Sequence, residues 1–287
     1  MDTEDLRTFV EIADAGGVTS AARRLGIAKS IVSRRLIRLE EELGIQLLAR
    51  STRGAVVTEA GAGFREHAAR ICALVDVAFE EVRPTGDLRG RLRIAAPLTF
   101  GPTHLAPVLA ELARRHPALQ VQTCYSDQFI DLVAEGFDCA IRLGNLVDSG
   151  LVARRVAPMG GSLVASPDYL RRFGTPDHPE ALLTHNALLQ GTEAWRLKKG
   201  DKTVTIHPRG TFKADNGTAL LSAALAGLGI AALPEFLITE PVASGRLVRL
   251  LGDHPLPFGG LYVVRPAAAH PARKIRVLTE LLVEHFG

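Results

Sequence analysis

The sequence has few of the residues that secreted and redox proteins use. Its 287 residues include three cysteines, one tryptophan and only 5% aromatic side chains. Cys72, Cys124 and Cys139 are widely spaced and form no C-x-x-C motif, which predicts free thiols in a reducing compartment. We expect all three in the core, with a redox pair of Cys124 and Cys139 as the alternative.

The chain also lacks long apolar runs and a secretory leader. No apolar stretch approaches the roughly 20 residues of a membrane span. The amino-terminal segment is acidic and amphipathic, so we expect no signal peptide, which argues against a solute-binding or transport protein. A net charge of +3 is mild, so any nucleic-acid surface must be local. These features predict a cytoplasmic protein without membrane association.

Recognisable catalytic and cofactor motifs are missing as well. The sequence contains no G-x-G-x-x-G, phosphate loop or G-x-S-x-G, and its nine histidines are scattered. Acidic residues do not cluster as general acid/base chemistry would require. We therefore expect no catalytic residue, no cofactor, no metal and no enzyme. The alternative is a cytoplasmic small-molecule-binding protein or enzyme that uses an α/β cleft.

The clearest pattern that is present lies between Gly17 and Gly44. Small and apolar residues predict a short helix, Gly26 a break, and the spacing that follows a second helix from about Lys29 to Leu43. One apolar stripe on this second helix consists of Val32, Leu36, Leu39 and Leu43. The opposite face carries cations and hydroxyls, which suits the major groove of DNA. The pattern predicts a helix-turn-helix.

Basic residues are concentrated in this part of the chain. Residues 19–57 include eight Arg or Lys against three Glu. After Gly44 the sequence predicts strand, turn and strand, a wing whose arginines we assign to DNA phosphates. The predicted DNA-binding residues are Thr19, Lys29, Ser30, Ser33, Arg34, Arg38, Arg50 and Arg53. Thr19 is also placed to cap the short helix. The alternatives are a solvated basic helix face and an ordinary basic hairpin.

Two more helices flank this segment. Apolar residues at i, i+3, i+4 and i+7 predict a first helix over Thr3–Ala15. Thr58 and Glu59 open a helix of about 25 residues that ends before Pro84. Because its apolar stripe has no partner in the sequence around it, this helix predicts pairing with a second chain. Residues 83–89 have the composition of a hinge.

From Arg91 onward, strands alternate with helices. Strands are predicted over residues 92–96, 119–125, 139–141 and 229–233, and helices around residues 105–112, 130–135, 220–228 and 272–286. Such alternation predicts a parallel sheet flanked by helices. Two α/β lobes joined by crossing strands would leave a cleft, where open α/β sheets bind ligands.

With these residues in view, the chain resembles the LysR-type transcriptional regulators. The first 61 residues carry the most specific matches, which are Ala21-Ala22, Leu25, Ser33, Leu39-Glu40, Leu43-Gly44, Arg50, Arg53 and Thr58-Glu59-Ala60-Gly61. The second half is similar to the effector domain of one large subgroup, through Asp138-Cys139-Ala140-Ile141-Arg142 with Gly144, Ser166-Pro167-Asp168-Tyr169-Leu170, Trp195, Asn216-Gly217, Gly227-Leu228-Gly229-Ile230-Ala231 and Leu233-Pro234.

The resemblance implies an α/β chain of three parts. A winged helix-turn-helix would cover residues 1–58, a linker and dimerisation helix with a hinge 59–90, and a two-lobed domain similar to periplasmic binding proteins 91–287. Lobe I would take about 91–162 and 267–287, and lobe II about 163–266. The implied partners are promoter DNA with an inverted repeat and an organic or aromatic acid as effector. The implied assembly is a homodimer through the linker helix, and further a homotetramer.

Seven residues are predicted to bind the effector between the lobes. They are Leu98, Thr99, Phe100, Arg142, Gly144, Asn216 and Gly217. A hydroxyl and exposed amides where a helix begins suit a carboxylate. The alternatives are a plain helix cap for Thr99 and a salt bridge with the protein's own aspartate for Arg142.

The recognition helix departs from the family pattern at its start. Ala28-Lys29 replaces the common Ser-Gln, so the usual cap hydroxyl is missing, at a cost of about 1 kcal/mol. Lys29 cannot make the bidentate adenine contact of Gln, so we expect it to favour guanine or a phosphate. Gly17 also replaces a common Ser.

Overall fold

The computed structural model describes residues 2–51, 54–82, 87–128, 130–146, 149–191, 194–200, 202–267 and 271–287. Its amino-terminal part, the head, contains α1 (Thr3–Ala15), α2 (Val18–Leu25), α3 (Lys29–Leu43), β1 (Leu48–Ser51) and β2 (Gly54–Val57). Antiparallel pairing of β1 with β2 forms the wing. The predicted helix bounds of α1 and α3 and the predicted wing are therefore confirmed.

The head is held together by the apolar stripes of its helices. Leu6, Phe9 and Ile12 of α1 pack with Val32 and Leu39 of α3, and all five side chains are almost completely buried. Burial of one such side chain contributes roughly 1.5–3 kcal/mol. The predicted stripe of α3 thus forms the core, which leaves the other side of the helix to solvent.

Neither α2 nor α3 has a side-chain cap at its beginning. Gly17 is the N-cap of α2, and no side chain caps that helix end. The predicted capping role of Thr19 is therefore wrong, because the helix starts at Val18 and Thr19 already lies within its first turn. At α3, Ala28 is the N-cap and makes no side-chain hydrogen bond, so the predicted loss of a cap hydroxyl is confirmed.

Helix α4 (Glu59–Val82) follows the wing and is joined to it by a close backbone contact. Thr58 Oγ1 accepts the Gly61 N–H at 2.9 Å, and the Thr58 N–H donates to the Leu47 carbonyl at 3.0 Å. A Cβ atom at Gly61 would lie 2.2 Å from the Leu47 oxygen, so a larger residue cannot fit. The Thr-x-x-Gly motif therefore allows α4 to pack closely against the wing. Residues 83–86 of the predicted hinge lie outside the described residues.

A second motif holds the wing to α3. The Glu40 carboxylate accepts backbone N–H groups of Leu47 at 2.7 Å and Leu48 at 3.1 Å. Because a charged acceptor strengthens such bonds, Glu40 fixes where the wing begins. The Leu39-Glu40 pair thus combines one core residue with one residue that positions the wing.

The carboxyl-terminal part is an α/β domain. Its strands are β3 (Gly90–Ala96), β4 (Leu119–Tyr125), β5 (Cys139–Gly144), β6 (Leu151–Ala165), β7 (Ala187–Leu189), β8 (Trp195–Lys199), β9 (Lys202–Ile206), β10 (Phe212–Lys213), β11 (Ile230–Pro234), β12 (Val248–Leu250) and β13 (Leu256–Pro266). Its helices are α5 (Ala106–Arg115), α6 (Pro167–Phe173), α7 (Gly217–Leu225), α8 (Glu235–Ala243) and α9 (Arg273–Phe286), with a π-helical turn over Gly101–Leu105 and a 3-10 helix over Pro179–Thr184.

Within the described residues, nine strands form one sheet in the order β10-β7-β11-β6-β13-β5-β3-β4, with β12 beside β6. Strand β3 runs parallel to β4 and β5, but β13 is antiparallel to both β5 and β6. The predicted parallel sheet is therefore wrong in part, because the sheet is mixed. The long strands β6 and β13 pass from one lobe into the other, and antiparallel pairing lets them do so side by side.

The lobes have separate cores on either side of these two strands. We use lobe I for β3, β4, β5, α5 and α9, and lobe II for β7, β11, α7 and α8 with the elements around them. Leu92 and Leu278 are fully buried in lobe I, and Leu220 and Leu233 in lobe II. No helix in the described segments is long and apolar enough to cross a membrane.

The helix predicted over residues 130–135 is wrong. This segment is a single hydrogen-bonded turn, in which the Asp131 carboxylate accepts the N–H groups of Val133 and Ala134. Gly136 then adopts a left-handed conformation with φ of 69°, which ends the turn. One turn is too short for a stable helix, because nucleation is costly.

Candidate nucleic-acid interface and effector cleft

The outward face of α3 is the exposed cationic surface of the head. Lys29, Ser30 and Arg34 are exposed, and Ser33 is half-buried beside them. Within the described part of the chain, no carboxylate pairs with the Arg34 guanidinium. The predicted residues of α3 other than Arg38 therefore form one surface, with hydroxyls and cations over the first two turns. A helix of this kind fits the major groove.

Arg38 of α3 points to a different partner. Its Nε donates to Asp5 Oδ2 at 2.7 Å and its Nη2 to Asp5 Oδ1 at 2.5 Å, in a bidentate pair that joins α3 to α1. Asp5 is fully buried, and its hydrogen bonds and charge raise the pKa of Arg38. Because a buried carboxylate needs its partner, we correct the prediction for Arg38 from a DNA contact to a structural ion pair.

Arg35 is also used within the head. Its Nη1 lies 3.1 Å from Glu4 Oε2 and donates to Thr8 Oγ1 at 3.1 Å. The three arginines of α3 thus have two roles. Arg35 and Arg38 bind α1, and Arg34 faces solvent. Helical spacing could not distinguish these roles, because they depend on where the acidic residues of α1 lie relative to α3.

The other predicted DNA contacts lie outside α3. Thr19 is exposed on α2. The backbone of Arg50 lies in β1 opposite Ala55, but its side chain is not among the described ones. Arg53 lies outside the described residues. Their roles stay predictions.

A half-buried acid joins the head, α4 and the carboxyl-terminal α/β domain. Asp14 of α1 accepts from Arg65 of α4, with Nε at 2.8 Å, and from Arg91 of β3, with Nη1 at 2.6 Å. Burial acts to raise the pKa of Asp14, but the hydrogen bond from Arg65 and the charge of Arg91 outweigh it, so the pKa lies below its ordinary value. We call these three residues the Asp14 hub.

The two lobes are linked across their cleft by Asp127. Its Oδ1 accepts the Leu98 N–H of lobe I at 2.9 Å, and its Oδ2 accepts the Nδ2–H of Asn216 of lobe II at 2.8 Å. Asn216 is also the N-cap of α7, where its Oδ1 accepts the N–H groups of Thr218 and Ala219. Donors predicted for an effector acid are therefore already bound by a carboxylate of the chain itself.

Thr99 and Gly217 also face each other between the lobes. Thr99 Cγ2 lies 3.8 Å from the position that a Cβ of Gly217 would take. Thr99 is not a helix cap, because the π-helical turn begins at Gly101 with Phe100 at its N-cap and no side-chain cap bond. Leu98, Thr99, Asn216 and Gly217 are thus brought together.

Phe100 has a different environment from its neighbours. Its side chain is 2% exposed and packs in the lobe I core, where its ring stacks on His104 with centroids 5.1 Å apart. Phe236 of α8 in lobe II meets both rings edge-on, at 5.2 Å and 5.1 Å. Burial lowers the pKa of His104. The Phe100 side chain therefore contributes to contact between the lobes from within the core.

Arg142 and Gly144 lie on β5. Arg142 is half-buried opposite Tyr262 of β13, and burial lowers its pKa. Gly144 has a left-handed φ of 101°, and its carbonyl carbon would lie 2.3 Å from a Cβ at Gly259. Nothing described brings these two residues into contact with Asp127.

A cavity lies elsewhere, between α1, α4 and lobe I. Its volume is about 670 Å³, and its lining includes Arg93 and an ion pair between the buried Lys274 and the half-buried Asp138, with Nζ 2.7 Å from Oδ1. None of the seven predicted effector residues lines it in the described part of the chain. The cavity is therefore separate from the cleft between the lobes.

The cysteines follow the prediction only in part. Cys72 and Cys139 are buried, but Cys124 is exposed, which corrects its predicted core position. Cys124 pairs with Ala95 of β3, and Cys139 with Ile94 on the other side of that strand. Two strand spacings separate them by about 9–10 Å, beyond the reach of a disulfide. Among the described residues, no group of three or more His, Cys, Asp or Glu could hold a metal.

Sequence reasoning missed Asp127, His104 and Phe236. Asp127 carries no motif signal, because an aspartate after a strand is common in loops. Its position could have been found only by noting that β4 ends beside β3, so that the loops after the two strands meet.

Comparisons with known proteins agree with this architecture. Residues 3–62 match the model of the bacterial regulatory helix-turn-helix protein, lysR family, and residues 85–287 match the LysR substrate binding domain. The chain is 37% identical over its whole length to the HTH-type transcriptional regulator PtxR of Pseudomonas aeruginosa, of which it covers 94%.

Solved full-length structures extend the agreement. The LysR-type regulator CrgA of Neisseria meningitidis is 32% identical, with a TM-score of 0.58 and coverage of 100% of this chain and 99% of CrgA. The virulence activator AphB of Vibrio cholerae is 29% identical, with a TM-score of 0.61 and full coverage of both chains. These relatives are transcriptional regulators rather than enzymes. The chain therefore belongs to the LysR family of DNA-binding transcriptional regulators with an effector-binding domain.

Proposed function

We propose that the chain reads an inverted repeat in promoter DNA through the outward face of α3. The observation that carries this proposal is the exposed Arg34, which has no carboxylate partner in the described residues and stands on a helix whose other side is core. Ser30, Ser33 and Lys29 flank it, Thr19 extends the surface, and the wing arginines add phosphate contacts. A cytoplasmic location follows from contact with DNA.

A homodimer through α4 supplies the second head. Leu74 and Phe79 of this helix are 68% and 65% exposed, and Ile71 is 38% exposed. An apolar face of this kind favours a partner helix. Twofold pairing would present two α3 helices to two half-sites of an inverted repeat. On the family resemblance alone we extend the proposal to a homotetramer, which light scattering would show as four chain masses.

For the effector we propose a small organic acid bound between the lobes of a domain that covers residues 91–287, behind a head over 1–58 and a linker over 59–90. Leu98, Thr99, Asn216 and Gly217 support this site because they meet at the cleft. The Leu98 N–H and the Asn216 amide already donate to a carboxylate there, that of Asp127. Arg142 is proposed as a contributor from lobe I. Ligand-dependent movement of the lobes would change the spacing of the heads.

The experiment that tests the DNA proposal is selection of bound sequences from random duplex DNA with the purified chain, followed by footprinting. We expect an inverted repeat and a footprint that changes in length or hypersensitive bands with one member of a panel of acids. Selection that yields no common sequence, with binding that depends on salt alone, would contradict sequence-specific reading by α3.

A further inference from the structure

Asp127 places a negative charge between the lobes, where the residue is exposed to solvent. Its two oxygens accept from the Leu98 N–H and the Asn216 amide, which are both neutral donors. No Lys, Arg or His of the described chain pairs with it. One oxygen is held by a donor of lobe I and the other by a donor of lobe II. The carboxylate is therefore fixed in place before any ligand binds.

A simple acid does not fit well beside this charge. The Leu98 N–H and one of the two Nδ2 hydrogens of Asn216 are already used on Asp127. We therefore place an incoming carboxylate at the next groups along the chain, which belong to Thr99 and Gly217. Thr99 Cγ2 lies 3.8 Å from the position that a Cβ of Gly217 would take, and each of the two residues adjoins a residue that Asp127 holds. A second carboxylate at this place would be repelled by the first.

We propose that the effector is an α-amino acid, whose ammonium group binds Asp127 while its carboxylate lies at Thr99 and Gly217. This inference rests on the proposed effector site between the lobes. Each carboxylate oxygen of Asp127 has a second lone pair, so it can accept an ammonium hydrogen and keep its bonds to both lobes. The ammonium cancels the repulsion and strengthens the link, because charge-assisted hydrogen bonds are the stronger ones.

The first test compares ligands on the unmodified chain. Thermal shifts with each of the twenty standard L-amino acids identify the best ligand, and calorimetry then compares it with its desamino analogue. We expect the amino acid to bind at least tenfold more tightly than the analogue, because only the amino acid offers a cation. No binding by any of the twenty, or equal binding of the analogue, overturns the proposal.

The second test changes Asp127 itself. In Asp127→Asn the charge is lost at nearly constant size, so the amino acid should lose at least tenfold in affinity and its advantage over the analogue should vanish. Asp131→Asn is the matched control, since the Asp131 carboxylate caps a turn of lobe I and, among the described residues, accepts from Val133 and Ala134 alone. We expect the control to bind like the unmodified chain.

A different result would assign Asp127 an opposite role. If Asp127→Asn binds the desamino acid more tightly than the unmodified chain does, Asp127 competes with an acid for the cleft, and the amino-acid proposal is wrong. The proposed function is judged separately by the DNA footprint, which uses acids with and without an amine. A footprint that responds only to a simple acid keeps that function and rejects this inference.

Discussion

The head and the effector cleft treat charge in different ways. In the head, Arg35 and Arg38 are used by acids on α1, and Arg34 on the same helix is left to solvent. In the cleft, the groups of the two lobes that face each other are already joined through Asp127. The head therefore offers an open surface to its ligand, whereas a ligand of the cleft has to fit around contacts that already exist.

The largest effect on the head is expected from Gly61→Ala. A Cβ at this position would lie 2.2 Å from the Leu47 carbonyl oxygen, which is backbone and cannot move aside. We expect a loss of about 3 kcal/mol in the stability of the head, measured by urea unfolding.

Gly63→Ala is the matched control on the same helix. Nothing lies within 4 Å of its Cβ position, so we expect a gain of roughly 0.5–1 kcal/mol from helix propensity. Equal effects at the two glycines would show that the wing does not sit against α4 as described.

Two alanine variants test whether Arg34 and Arg38 of α3 have different roles. Arg34→Ala should weaken specific DNA binding by about 2 kcal/mol, with an unchanged salt slope and unchanged melting temperature, if the side chain reads a base. Arg38→Ala should lower the melting temperature by roughly 5 °C, because it leaves the buried Asp5 without its partner. Anisotropy on the selected DNA and a melting curve for both variants measure the two effects.

A stability loss in Arg34→Ala equal to that in Arg38→Ala would remove the distinction between them. A salt slope reduced by about one unit in Arg34→Ala would instead reassign Arg34 to phosphate.

The connection between the head and the effector domain is tested by pH. The pKa of Asp14 is lowered in the folded chain, so its stabilising effect is fully present above the ordinary value of 3.8 and is lost as the pH falls through the folded pKa. Asp14→Asn should therefore melt at a lower temperature than the unmodified chain from pH 7 to pH 5. This difference should shrink below about pH 4. A difference that stays constant down to pH 3 would mean that the charge of Asp14 does not stabilise the hub.

The smallest expected effect concerns the wing. Arg53→Ala should weaken binding to all duplexes about equally and lower the salt slope by about one unit, because we assign Arg53 to a phosphate. Binding measured between low and moderate salt on selected and scrambled DNA gives both quantities. An altered base preference would show that Arg53 reads sequence.

The sequence predicted elements better than partnerships. Helical spacing located α1 and α3 because a buried stripe repeats along one helix and depends on nearby residues only. It could not show that Arg38 meets Asp5, since the two residues are 33 positions apart and come together only when α1 packs on α3. The turn at residues 130–135 was mistaken for a helix because a few apolar residues at helical spacing do not show where a helix must end.

The effector site shows the same limit. Asn216 and Gly217 were recognisable from the family pattern, and the structure places them opposite Leu98 and Thr99. Asp127 could not be identified from the sequence, because its role depends on which loops the strand order of the sheet brings together. The direction of β13 was also beyond a prediction from alternation, which does not distinguish a parallel strand from a returning antiparallel one.

The shared strands of the two lobes have a mechanical consequence. Strand β6 runs unbroken for 15 residues through both lobes, and its pairing with β13 changes register between Pro257 and Gly260, opposite Pro158 and Gly160. A second register change follows between Leu261 and Tyr262. Because a continuous strand cannot act as a free pivot, we expect the lobes to move by bending the two shared strands where their register changes. We expect the stiffness of this short stretch to determine how much of a ligand-induced movement of the lobes is transmitted to the head.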